Sequence, residues 1–176
     1  MDVGAVIERA EKISAVRVDP GAQVPAIQGG LASIREVRGW LDASEAALAG
    51  RLKEHVSFPE SAVAETSRGT LGSAGKTIEP SETLDAVPDF AAALDDGSIT
   101  VGHVDAITRA GKNLDAAQRD ELFDRVADLV GDATSHPVDR FGRTVRDLAR
   151  DIERADPSHL TPDTPTEALR PLASDA

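Results

Sequence analysis

The chain has no cysteine and no tyrosine, one tryptophan and four phenylalanines, so aromatics make up only 3% of its 176 residues. The missing thiols exclude disulfides, thiolate metal sites and cysteine nucleophiles. The shortage of aromatics argues against a β-sandwich or barrel, whose strands draw on aromatic and β-branched residues. Long apolar runs are also missing, and none approaches the length of a membrane span. The opening MDVGAVIERAEKI lacks the basic start and apolar core of a secretory signal, so a cytoplasmic location is expected. Bases are few: 19 lysines and arginines stand against 31 acids, for a net charge of −12. A surface of that sign repels phosphate at long range and works against general nucleic-acid or membrane binding. It leaves room for a local basic strip.

What is present is alanine, leucine, valine and isoleucine at helical spacing. Val3, Val6, Ile7, Ala10, Ile13 and Val16 predict a first helix over 2–16. VDPGAQVPAIQGG (18–30) then reads as a linker, because two prolines and three glycines break the period. From Leu31 the spacing resumes through Ile34, Val37, Leu41, Leu48, Leu52 and Val56, a long amphipathic helix with Trp40 near its apolar face. Residues 60–80 are short and polar, with Pro80 as an interruption, and hold at most one or two brief helices.

Further along, Ser81 and Asp89 are candidate N-caps for two short helices, and Gly97 stands where a helix stop is expected. Thr100 caps VGHVDAITRAG, and Asp115 caps a single helix through AAQRDELFDRVADLVGDA. Pro137 fits the first turn of a last helix that turns Phe141, Val145, Leu148 and Ile152 inward. The expected fold is all-α: an irregular bundle of short helices around two or three longer amphipathic ones. Its parts are an N-terminal helix and linker (1–30), a helical domain (31–155) and a proline-rich flexible tail (156–176).

GTLGSAGKT (69–77) ends like a phosphate-binding P-loop, but Thr70 stands where the template requires its first glycine. No apolar strand feeds it, and Pro80 follows too soon for a long helix to leave it, so no nucleotide is expected. His55, His103, His136 and His159 are scattered, with no two at metal-ligand spacing. Asp95-Asp96-Gly97 lacks the alternating oxygens of a calcium loop. No serine lies in a G-x-S-x-G elbow. The sequence therefore offers no catalytic residue, no metal site and no cofactor site.

LDAVPDFAAALDDGSITVGHVDAI (84–107) resembles the central signature of the 13E12-repeat family, which carries domain of unknown function 222. That signature has a proline-started short helix, an AL-x-x-G-x-I stop and a helix opening with hV-x-x-I. DLVGDATSHPVDRFGRTVRDLARDIE (128–153) is similar to the family's following segment, and the resemblance covers roughly residues 31–155. In that family the helical domain often precedes an HNH nuclease module with paired histidines and zinc-knuckle cysteines. Neither feature exists here, so the resemblance implies a non-catalytic accessory domain.

The last helix carries Arg140, Arg143, Arg146, Arg150 and Arg154 within an arc of about 120°, opposite its apolar face. Such a rail suits a phosphate backbone, and DNA contact by an accessory domain is one expectation. Interleaved Asp139, Asp147, Asp151 and Glu153 make the alternative a mixed-charge solvated face. The leading expectation is protein contact, including self-association. Ile34, Leu41 and Leu48 recur every seven residues, a seam for a partner helix with Trp40 beside it.

Overall fold

A computed structural model describes residues 1–155; the expected tail, with His159, lies outside the described residues. Among those residues the chain is all-α and contains no strand. In chain order the helices are α1 (Val3–Val18), α2 (Val24–Lys53), α3 (Pro59–Ser67), α4 (Leu71–Ala86) and α5 (Pro88–Asp95). They are followed by α6 (Val101–Gly111), α7 (Ala116–Ala127), α8 (Val130–Ser135) and α9 (Val138–Ala155).

Many boundaries follow from capping chemistry. The Asp2 carboxylate accepts the Ala5 N–H at 2.8 Å and starts α1. Thr100 opens α6 through a capping box with His103, and Asp115 opens α7 through one with Gln118. Gly97, at φ +77°, ends the turn after α5 as the sequence predicts.

Five expectations need correction. The linker over 18–30 shrinks to a short turn, because α2 starts at Val24. Pro25 falls in its first turn, where a missing N–H costs nothing, and Val16 of α1 packs on Gly30. Pro80 does not interrupt the chain but lies buried inside α4. Ser81 is likewise an interior residue rather than a cap, and its hydroxyl donates to the Ile78 carbonyl at 2.7 Å. Asp89 sits in the first turn of α5, while Val87 holds the cap position without a side-chain bond. The single helix expected after Asp115 is two. A tight turn, with the Leu129 N–H on the Val126 carbonyl at 2.8 Å, swings α8 against α5 and α9.

The core lies among α4 to α9 and the C-terminal half of α2. Phe141 is at its centre, 5.8 Å from the Phe90 ring and 5.5 Å from the His103 ring between centroids. His103 is buried, and its Nδ1 accepts the Thr100 N–H, so Nε2 carries the proton and donates to the His136 carbonyl at 3.1 Å. Thr108 gives its hydroxyl proton to the Val104 carbonyl and so accepts from the Thr83 hydroxyl at 2.7 Å, tying α4 to α6. Helix α1 contributes no buried residue and packs mainly on the N-terminal half of α2.

One close approach fixes α2 on the body. A Cβ on Gly39 would stand 2.5 Å from the Leu94 carbonyl oxygen and 2.9 Å from the Gly97 Cα. Both neighbours are backbone and cannot rotate away. Gly39→Ala is therefore expected to destabilise by about 2 kcal/mol, the middle of the range for overpacking a full site. The melting temperature should fall by roughly 4–8 °C. Gly75→Ala is the control: nothing lies within 4 Å of its added carbon, so the better helix former raises the melting temperature slightly.

Candidate functional site

Three surfaces carry features that packing alone does not explain. The first is on α2. Its buried residues are small (Gly30, Ser33, Gly39, Ala46 and Ala49), while its large apolar residues face outward. Val24, Leu31 and Leu48 are 65%, 61% and 65% exposed, and Leu41 is 52% exposed. Ile34 and Trp40 are half-buried.

The seven-residue repeat of Ile34, Leu41 and Leu48 extends back to Ile27, and a second one runs through Val24, Leu31, Arg38, Glu45 and Leu52. The two repeats are offset by three and four residues, as in the seam of a coiled coil. Helix α2 is about 45 Å long at 1.5 Å per residue, and the seam occupies most of it. Towards its C-terminal end Leu41, Leu48 and Leu52 form one wall of an open groove of about 600 Å³, with Val63, Thr66 and Ser67 of α3 opposite. The sequence reading missed Val24 and Ile27 because it placed a linker there, and it began the helix at Leu31 without adding that residue to the seam. Following the seven-residue period past Gly30 would have found them.

The second surface is the face of α9. Arg140, Arg143, Arg146, Arg150 and Arg154 are all exposed, as their arc predicts. They are not equivalent. Arg150 and Arg154 are paired with Asp147 and Asp151, each at 3.4 Å. Arg143 and Arg146 instead bend back along the helix, donating Nε to the Asp139 and Gly142 carbonyls at 3.2 and 2.9 Å. These two line an open groove of about 630 Å³ together with Arg109, which comes from α6. Nothing in the sequence pattern marks Arg109, which shares the groove through the crossing of α6 and α9.

The third surface is an acidic cleft between α2, α4 and α6, where Asp42, Glu45 and Asp105 stand near Lys76. Burial pushes the Asp42 carboxyl above its ordinary range; Glu45 and Asp105 add to this and Arg38 opposes it. Burial likewise raises Asp105, against Arg109 and Lys76 and with help from Glu79. No group of three histidine or acidic side chains able to hold a metal ion occurs among the described residues.

The P-loop-like stretch is helical from Leu71 onward. Thr70 and Ser73 form a capping box, and Lys76 and Thr77 sit in the second turn of α4. The backbone N–H groups after Gly72 are thus committed inside the helix rather than arranged as a phosphate cradle. No helix among the described residues is long and apolar enough to cross a membrane.

The raised carboxyls give a pH dependence of definite sign. A native state that holds these protons more tightly than the unfolded chain gains stability as pH falls from the raised values toward the ordinary ones. Burial disfavours the ionised Asp42 carboxyl in the folded state, so Asp42→Asn is expected to raise the melting temperature slightly. In thermal melts at a series of pH values, that gain should shrink as pH falls toward the ordinary carboxylate range, because the wild-type carboxyl is protonated in the folded state before it is in the unfolded chain. No family model, no curated protein and no solved structure matches this chain.

Proposed function

We propose that this chain is a non-catalytic helical interaction module of the 13E12-repeat type, which pairs with a second copy of itself through the seam on α2. The observation that carries this reading is the heptad stripe of Val24, Ile27, Leu31, Ile34, Leu41 and Leu48, exposed at every position except the half-buried Ile34. Scattered exposed leucines are ordinary on a protein surface. A stripe in register along about 36 Å of one helix is the pattern of a contact face. The resemblance over residues 31–155 supports the accessory role.

A second copy is favoured over an unrelated partner by the two polar positions at the middle of the seam. Arg38 and Glu45 lie one heptad apart, on either side of Leu41. In a parallel pair each would face its own copy, and like charges would meet. In an antiparallel pair crossing near Leu41, Arg38 of one copy approaches Glu45 of the other, so the seam is self-complementary.

DNA contact along α9 stands second. The exposure of its five arginines favours it, while the ion pairs of Arg150 and Arg154 and the net charge of −12 weigh against it.

Sedimentation equilibrium of the purified chain tests the proposal. The wild type is expected to dimerise in the micromolar range, and the double variant Leu41→Ala, Leu48→Ala to be monomeric with unchanged helix content. Both side chains are more than half exposed, so truncating them costs the monomer little. A wild type that stays monomeric throughout overturns the proposal. Orientation is read from charge swaps: Arg38→Glu should weaken the dimer, and adding Glu45→Arg should restore it only in an antiparallel pair.

A further inference from the structure

We infer that the groove between α6 and α9 is a binding site for a small phosphate-bearing molecule, held by Arg109, Arg143 and Arg146. Small residues create the groove. Ala106 and Ala110 of α6 face Val138 and Gly142 of α9, and a Cβ on Gly142 would lie only 3.4 Å from the Ala106 methyl. The helices cross closely there, and the three arginines stand around the small apolar floor they leave.

The arginines are arranged alike. Each donates its Nε to the carbonyl four residues earlier: Arg109 to Asp105 at 3.0 Å, Arg143 to Asp139 at 3.2 Å and Arg146 to Gly142 at 2.9 Å. That tether holds the side chain against its helix and leaves the two terminal nitrogens of each guanidinium for a ligand. A planar fork of two N–H groups matches the oxygens of a phosphate.

Among the described residues none of the three is in an ion pair, whereas Arg9, Arg125, Arg150 and Arg154 all are. Acids outnumber bases 31 to 19 in this chain. Against that composition, three arginines share a groove with no carboxylate in ion-pair contact among the described residues, although Asp105 lies close enough to Arg109 for the two charges to interact. The one acid lining the groove is Asp139, so its side chains carry three positive charges and one negative, +2 net. That balances a phosphate monoester, which carries roughly −1.5 to −2 at neutral pH.

The groove's volume of about 630 Å³ is within the range of small-ligand sites. No aromatic side chain lines it, so a nucleobase has no stacking platform and recognition falls on the phosphate end. A long polyanion fits less well. Further along α9, Arg150 and Arg154 are already paired with aspartates, and the total charge of −12 opposes an extended duplex.

The test is a calorimetric titration of the full chain with inorganic pyrophosphate, repeated with Arg109→Ala, Arg143→Ala and Arg140→Ala. All three side chains are exposed, so folding should survive, and thermal melts confirm it. Expected is salt-sensitive binding that weakens about tenfold or more in Arg109→Ala and Arg143→Ala, the loss of a charged hydrogen-bonding partner. Arg140→Ala, outside the groove, should bind as the wild type does. No heat of binding, or equal loss in Arg140→Ala, overturns the site. A labelled DNA duplex that binds more tightly than pyrophosphate and depends on Arg140 and Arg150 as much as on Arg109 overturns it too, in favour of a backbone rail.

Discussion

Helix α2 touches the body of the protein backbone to backbone where Gly39 meets the turn at Gly97. Neither position has room for a Cβ: one on Gly39 would meet the Leu94 carbonyl, and one on Gly97 would meet the Glu36 backbone. The positive φ of Gly97 adds a second reason for glycine there. Beyond this contact toward the C-terminus, Ala46 and Ala49 enter the core region. Before it, the helix has only α1 for close company, and α1 buries nothing fully. A larger residue at position 39 would lift α2 from α5 and disturb both halves together. The ion pairs of Arg9 with Glu36 and of the Met1 amino group with Asp95 lie close to the same junction in sequence. They tether α1 near the point where α2 is pinned.

That geometry explains why the large side chains of α2 point outward. A close helix crossing needs small residues at the contact, so glycine, serine and alanine occupy the inward positions. The leucines and isoleucines are left for the other face. In α9 the arrangement is the usual one, with Phe141, Val145 and Ile152 buried and arginines outside. The contrast is informative: α9 spends its apolar side chains on the core, and α2 keeps them on the surface.

Wherever capping residues and apolar period agree, as at Thr100, Asp115 and Gly97, the helices were legible from sequence. Most of the misreadings involve proline or glycine; the break between α7 and α8, at Asp128 and Leu129, does not. Pro25, Gly29, Gly30 and Pro80 carry strong local signals for breaks, yet each sits where the fold removes the cost. Pro25 has no helical N–H to lose in a first turn, and Gly30 is packed by Val16. Pro80 is held inside α4 by burial against its neighbours, which no local rule anticipates. The candidate sites divide in the same way. The arginines of α9 and the heptad of Ile34, Leu41 and Leu48 are periodic and could be read along one helix. Arg109, Asp42 and Asp105 acquire their neighbours only when separate helices meet, and among 31 acids no spacing singles out the two carboxylates.

The seam on α2 and the groove between α6 and α9 share no residue and no helix. They also ask different things of the fold. Helix α1 is 16 residues long, close to the length at which an isolated helix is marginal in water, and its only extensive neighbour is α2. Helix α1 therefore depends on α2 for its packing, and a partner laid along α2 would steady both. Helices α6 and α9 pack on each other through the core that contains Val104, Ile107, Phe141 and Val145, all fully buried. A groove on such rigid walls can hold three side chains in fixed relation before any ligand arrives, which is what anion recognition by arginine forks requires. Substitutions in one surface should leave the other unchanged, because distant sites without shared partners behave additively. The association proposed along α2 and the ligand site proposed between α6 and α9 can thus be tested separately in one small domain.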